Sequence, residues 1–257
     1  MHSAEMMQDK VVLIDQHPNR NIGLMCLSTD PTVERDFRQY LPANKYNLFV
    51  NRVEFNPPVT NENLKKIGAR LKQSASLIAP DEPLEVITYC CTSCATNLGD
   101  QCVIDALGGG RPGVPAINPA LSGRTAMKAM GIKSIGLVTP YIQEVSDSVA
   151  QYFEDFDIHV AQNYCMGLES DYEISRVSDQ TMIDASLQAN TDQVEAIFLS
   201  CAALPAVNVI KTIEDKIGKP VVSSNSSMIW MALRTMGIKD QLDLGKLFEY
   251  DLGDNNE

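Results

Sequence analysis

The chain is written twice. Ile22-Gly-Leu-Met-Cys-Leu27 returns as Ile135-Gly-Leu-Val-Thr-Pro140. Glu85-Val-Ile-Thr-Tyr-Cys-Cys91 returns as Glu195-Ala-Ile-Phe-Leu-Ser-Cys201. Pro115-Ala-Ile-Asn118, running on to Met130-Gly-Ile-Lys133, returns as Pro220-Val-Val-Ser223, running on to Met236-Gly-Ile-Lys239. Three pairs in the same order, 105 to 113 positions apart, require two copies of one folding unit.

Within each unit, apolar runs alternate with amphipathic stretches, the pattern of parallel strands joined by helices. The first half predicts strands at 21–27, 46–55, 85–91 and 114–117. Its helices fall at 31–41, 60–78 (opened by Thr60 and Glu62), 93–107 (stopping at Gly108-Gly-Gly110) and 120–130. The second half predicts strands at 134–139, 158–163, 196–201 and 220–223, with helices at 141–155, 179–190, 204–217 and 225–236. The expected fold is α/β: two pseudo-symmetric flavodoxin-like lobes with parallel sheets and a cleft between them. Residues 1–20 read as a lead-in segment. Residues 21–117 with 225–257 form the first lobe, the last helices crossing back to cap it, and 118–224 form the second.

Composition bounds the function. With 44% hydrophobic and 21% charged residues, the 257-residue chain has ample material for cores. No apolar run approaches the roughly 18 residues of a membrane span, and the N-terminus lacks a signal-peptide core. A net charge of −12 argues against nucleic acid as a partner. Seven cysteines, an odd number, with no export signal point to free thiols in a reducing cytoplasm.

The chemistry concentrates at two strand ends. In a parallel α/β sheet, ligands bind at the carboxyl ends of strands. Cys91 stands at one such end and Cys201 at the repeat-equivalent end. After Cys91, Thr92 or Ser93 caps the next helix, whose free N–H groups suit a carboxylate and favour a thiolate. Cys201, in Ser200-Cys201-Ala202, has the same grammar. Each cysteine alone reads equally well as a small buried apolar residue; their equivalence in the repeat favours chemistry. A thiolate beside a bound carboxylate can take the adjacent proton or attack an adjacent double bond. Thr139-Pro-Tyr141 and Ser28-Thr-Asp-Pro31 follow the two Ile-Gly-Leu strands and should face the same cleft. Tyr141 can donate to an anion, while Asp30 reads either as a site residue or as a helix cap.

Other motifs carry less. Cys91-x-x-Cys94 lacks the second pair or the histidines that a metal site needs, since His2, His17 and His159 stand apart from every cysteine. Cys26, Cys102 and Cys165 read as core residues. Gly108-Gly-Gly-Arg-Pro-Gly113 lacks the Gly-Lys-Ser/Thr ending of a phosphate loop and reads as a flexible turn.

From about residue 20 to about 250 the chain resembles the aspartate/glutamate racemase superfamily. Within it, the likeness is to the maleate cis–trans isomerase and arylmalonate decarboxylase branch, which some ectoine-utilisation proteins also resemble. The segments that carry this are Cys91-Thr-Ser93, Thr139-Pro-Tyr-Ile142, Leu199-Ser-Cys-Ala-Ala203 and Pro220-Val-Val-Ser-Ser224. The resemblance implies a cofactor-independent, metal-free enzyme with Cys91 and Cys201 as a facing catalytic pair. It implies that Thr92, Ser93, Tyr141 and the Ala202 backbone hold a substrate carboxylate. The decarboxylases keep only the equivalent of Cys201, so Cys91 argues for an isomerase or racemase. Ala202 stands where the decarboxylases have glycine. Asp30 and, by a looser alignment, Asp171 stand where maleate isomerases carry asparagines. If both aspartates line the site, a dicarboxylate fits poorly, and an acid bearing an ammonium or hydroxyl group fits better. The expected partner is thus a small carboxylate, with homo-oligomerisation compatible with this size. A metabolite-binding protein on the same cleft and a cofactor-free decarboxylase are the alternatives.

Overall fold

The computed structural model describes residues 3–4, 6–12 and 19–253, so part of the lead-in 1–20 lies outside the described residues. The first half comprises β1 (Arg20–Leu27), α1 (Val33–Tyr40), β2 (Tyr46–Val53), α2 (Asn61–Lys65), α3 (Gly68–Ser76), β3 (Val86–Cys90), α4 (Thr92–Leu98), α5 (Asp100–Gly110), β4 (Ala116–Ile117) and α6 (Pro119–Ala129). The second comprises β5 (Ser134–Tyr141), α7 (Gln143–Glu154), β6 (His159–Leu168), α8 (Asp171–Ile174), α9 (Asp179–Ala189), β7 (Ala196–Leu199), α10 (Ile210–Ile217), β8 (Val221–Ser223) and α11 (Ser224–Thr235).

The strands form two all-parallel four-stranded sheets, ordered β2-β1-β3-β4 and β6-β5-β7-β8. The orders are the same, and both follow the flavodoxin pattern without its fifth strand. Central strands have both faces covered, which is why β3 and β7 are apolar runs with every residue buried. The edge strands β2 and β6 are only partly buried, and their sequences are correspondingly mixed.

Each half sends its last helix to the other sheet. After β4, α6 packs on the second sheet, where a Cβ on Gly123 would lie 2.8 Å from the Phe198 ring of β7. After β8, α11 packs on the first sheet, where Met228 Sδ accepts from Thr88 Oγ1 of β3 at 3.3 Å. The exchange places the start of α11 at the junction of the two sheets. Trp230 is fully buried and its indole N–H donates to the Tyr250 carbonyl, fastening the C-terminal segment.

Several elements differ from expectation. The helix expected over 60–78 is two, broken at Lys66-Ile67. That over 93–107 is also two, broken at Gly99, whose φ of +81° suits glycine. The second of these, α5, runs through Gly108–Gly110 instead of stopping there. The run is not a flexible turn. A Cβ on Gly110 would sit 2.4 Å from the Lys72 carbonyl, so glycine there lets α5 lie directly on α3. Arg111 then seals the corner, donating to the carbonyls of Ile78, Ala79 and Glu82. Cys26 is buried, but Cys102 and Cys165 are exposed rather than in a core. Among the described residues, no helix is long and apolar enough to cross a membrane.

Candidate active site

The sheet registers put the two cysteines in equivalent places. Val86 pairs with Ile22, Ala196 pairs with Ile135, and each cysteine stands five residues beyond. Both thiols line one small cavity between the sheets, with no more than about 270 Å3 of empty space. The cavity brings together all eight residues singled out from the sequence: Asp30, Cys91, Thr92, Ser93, Tyr141, Asp171, Cys201 and Ala202. Leu27, Val59, Leu64, Cys90 and Ala203 complete the lining, which includes no lysine, arginine or histidine.

On the first side, Cys91 is in an ordinary extended conformation (φ −145°, ψ 109°) and directly precedes α4. Its Sγ lies 3.7 Å from Ser93 Oγ. The Thr92 hydroxyl is committed at 2.7 Å to Ser224 Oγ, a residue of the other half. Cys94 does not face the site in a metal-binding manner; its thiol donates to the Leu64 carbonyl at 3.3 Å. Among the described residues, no group of three or more His, Cys, Asp or Glu side chains is placed to hold a metal ion.

On the second side, the Ser200 N–H still bonds the Val138 carbonyl (2.9 Å), extending the ladder one residue past β7. Cys201 then turns with φ +141°, a region L-residues rarely adopt. No helix follows at once: a single 3-10 turn spans Ala206–Asn208, and α10 begins only at Ile210. The expected helix at 204–217 is therefore shorter and does not begin at Cys201. Burial, reinforced by the nearby Asp171 charge, pushes the Cys201 thiol well above its ordinary value, against the opposing Tyr141 hydroxyl. Tyr141 is the last residue of β5 and is buried, and burial holds its hydroxyl firmly protonated.

Both aspartates are buried. Asp30 caps α1, its Oδ1 accepting from the N–H groups of Thr32 (2.7 Å) and Val33 (3.1 Å), and it also lines the cavity. Burial raises its carboxyl to about 7; those two N–H groups oppose the rise and Asp171 adds to it. Asp171 opens the short helix α8, and its Oδ2 accepts from the Thr29 hydroxyl. Burial raises this carboxyl too, and Thr29 opposes it.

The residues that sequence reasoning passed over lie behind the site. Ser224 Oγ accepts from the Cys201 N–H at 3.0 Å. Asn225 Nδ2 donates to the Ala202 carbonyl (2.9 Å) and to Asp36 Oδ2 (2.8 Å). The available signal was Ser223-Ser-Asn-Ser-Ser227, five polar residues opening a helix that is otherwise core.

The arylmalonate decarboxylase family model matches residues 109–248, more than half of the chain. The chain belongs to the arylmalonate decarboxylase family. It falls in the family's shared branch with the maleate isomerases, within the Asp/Glu racemase superfamily. It is 23% identical over 238 residues to the maleate isomerase of Alcaligenes faecalis, covering 86% of this chain and 92% of that one. A solved structure of the maleate isomerase Iso from Pseudomonas putida S16, a cysteine-to-alanine mutant with maleate, has a TM-score of 0.83 at 19% identity, covering 90% and 98% of the two chains. A cysteine-to-serine mutant of the Nocardia farcinica maleate cis–trans isomerase, carrying a covalently bound succinylcysteine intermediate, has a TM-score of 0.81 at 21% identity, covering 89% and 98%. The family fold is thus the two-lobed arrangement described above.

Proposed function

We propose that the protein is a cofactor-independent isomerase or racemase that acts on a small carboxylate held between Cys91 and Cys201. The observation that carries this is the meeting of two thiols, from equivalent strand ends of two equivalent sheets, in one cavity of at most about 270 Å3. That figure includes space open to solvent, so it only bounds the site from above and rules out a bulky ligand between the thiols. The maleate isomerases among its relatives, one of them trapped with a succinylcysteine, support the same chemistry.

In this reading Ser93, Tyr141, Thr92 and the backbone at Ala202 hold the carboxylate. Cys201, kept as a thiol by burial, gives a proton. Cys91 is left to attack or to abstract. With an unsaturated acid, the Cys91 thiolate forms a bond to one alkene carbon and the electron pair moves toward the carboxylate. The former double bond rotates, and reversal expels the thiolate. With a saturated acid, Cys91 takes the α-proton and Cys201 supplies one to the opposite face. The working lobes are 21–117 with 225–257, and 118–224, so that each contributes one thiol. Its free cysteines support reading it as a protein of a reducing compartment such as the cytoplasm.

The lining narrows the substrate. Where the two buried carboxyls are ionised, a lining with no lysine, arginine or histidine disfavours a second substrate carboxylate and favours an ammonium or hydroxyl group in its place. A decarboxylase is the second reading, favoured by the family model, and the presence of Cys91 weighs against it. A protein that binds without turnover is separated by thiol chemistry. On treatment with iodoacetamide near neutral pH, we expect at least one of Cys91 and Cys201 to alkylate rapidly, and a bound small acid to protect it. Uniformly slow labelling at both, followed by mass spectrometry, would sink the enzyme reading.

A further inference from the structure

Cys201 holds a conformation that its own side chain disfavours, and two neighbouring residues grip it there. The Cys201 N–H donates to Ser224 Oγ at 3.0 Å, and the Ala202 carbonyl accepts from Asn225 Nδ2 at 2.9 Å. One peptide on each side of the strained turn is thereby fixed. Neither gripping residue ends there. Ser224 Oγ shares a 2.7 Å hydrogen bond with Thr92 Oγ1, beside Cys91 on the first sheet. Asn225 Nδ2 also donates at 2.8 Å to Asp36 Oδ2 of α1, on the same side. Ser224, Thr92 and Asp36 are 0% exposed and Asn225 is 1% exposed, so water does not compete for these bonds.

The start of α11 is itself rigid. Ser223 and Ser226 form a reciprocal capping box, with Ser226 N–H to Ser223 Oγ at 3.0 Å and Ser223 N–H to Ser226 Oγ at 2.9 Å. That leaves the two intervening side chains free for the turn. A backbone in a sparsely populated region persists only when its surroundings over-determine it, and here four hydrogen bonds do so across the lobe junction.

We infer that Ser224 and Asn225 are positioning residues: they tie the Cys201 turn to the Cys91 side and set how the two thiols face each other. This rests on the two-thiol reading above. Ser224 Oγ accepts from the Cys201 N–H and shares one proton with Thr92, either hydroxyl being able to donate. When Ser224 donates, the Thr92 proton is left for the cavity. The bridge so links the second thiol to a carboxylate-holding hydroxyl of the first.

The test is Ser224→Ala, with Ser224→Thr as the conservative rescue and Thr92→Val cutting the far end should Ser224→Ala prove insoluble. Amide hydrogen exchange reads the grip without any need for turnover. In Ser224→Ala, exchange over 200–204 should rise about tenfold, the worth of one hydrogen bond, while that over 21–27 stays unchanged. For the acid that the wild-type protein converts, kcat should fall about tenfold with KM within about twofold, and Ser224→Thr should recover most of it. Wild-type exchange over 200–204 in the alanine variant overturns the inference. So does raised exchange with unaltered kcat, because the grip would then not position the thiol. Should no acid be converted at all, the two-thiol reading fails, and exchange alone decides whether the turn is held by Ser224.

Discussion

The two strand ends that carry Cys91 and Cys201 are equivalent in register and unlike in construction. Cys91 leaves its strand extended and enters a helix at the next residue. Cys201 leaves with φ +141°, has no α-helix until Ile210, and is held by side chains from α11. Repetition therefore places two thiols but does not give them the same environment. The second end has traded a helix start for a strained, gripped turn. Its thiol is pushed up by burial and by Asp171, which keeps it protonated and, on the proposed mechanism, makes it the proton donor of the pair. Two similar residues acquire different roles when their surroundings differ, as acid–base pairs require.

The largest effect that separates the ends from the rest of the molecule is loss of either sulfur. Cys91→Ala and Cys201→Ala should each lower the rate at least about a hundredfold, the worth of a general base or nucleophile, in a steady-state assay of the converted acid. Near-normal activity in either variant removes the two-thiol account. Next comes Tyr141→Phe, which deletes a buried donor beside Cys201. A hydrogen bond to a charged group is worth about 1.5–3 kcal/mol, so kcat/KM should fall roughly tenfold to a hundredfold.

Asp30 sharpens the comparison through pH. The folded protein holds its proton up to about 7, whereas the unfolded chain releases it near the ordinary 3.8. Between those values the native state binds more protons, so stability falls as pH rises through this window. Asp30→Asn keeps an oxygen to cap α1 and removes the buried charge. It should raise Tm by roughly 2–4 °C per kcal/mol gained above pH 7, and much less near pH 4. Calorimetry at the two pH values reads this. The same variant should bind maleate more tightly than the wild type above pH 7.

The smallest effect is the most specific to backbone. At position 201 glycine accepts φ +141° without strain, so Cys201→Gly should be about 1 kcal/mol more stable than Cys201→Ala. At position 91, the extended N-cap of α4, both residues fit the backbone and the glycine advantage should be smaller, only the N-cap preference remaining. Urea titrations of the four variants measure both differences. A glycine advantage at 201 no larger than at 91 would mean that the turn at Cys201 is not strained.

Much of this was legible because period and repetition are properties of the chain itself. Two apolar runs ending in Cys91 and Cys201 announced buried parallel strands with ligand-facing ends, and the repeat aligned them. Asp30 was read as either cap or site residue; it is a cap that also lines the cavity. What escaped depends on contacts between distant segments. Gly110 looked like a turn residue because only the tertiary fold brings Lys72 against it. Ser224 and Asn225 looked like ordinary helix-opening residues: the return of the last helices to the first lobe was expected, but nothing local shows that their first turn lies against Cys201. The missing helix after Cys201 has a local cause in Pro205, whose ring disfavours the helical conformation at the preceding Leu204.

The most direct test of the central claim is proton NMR of the wild-type protein in D2O with maleate, aspartate, glutamate, 2,4-diaminobutyrate and 2-hydroxy acids. The account predicts conversion of at least one, seen either as deuterium entering an α-carbon or as cis–trans change at a double bond, with an acid bearing an ammonium or hydroxyl group preferred to maleate. No conversion of any of them, with line broadening showing that one is bound, would contradict it and leave a cleft that binds without chemistry.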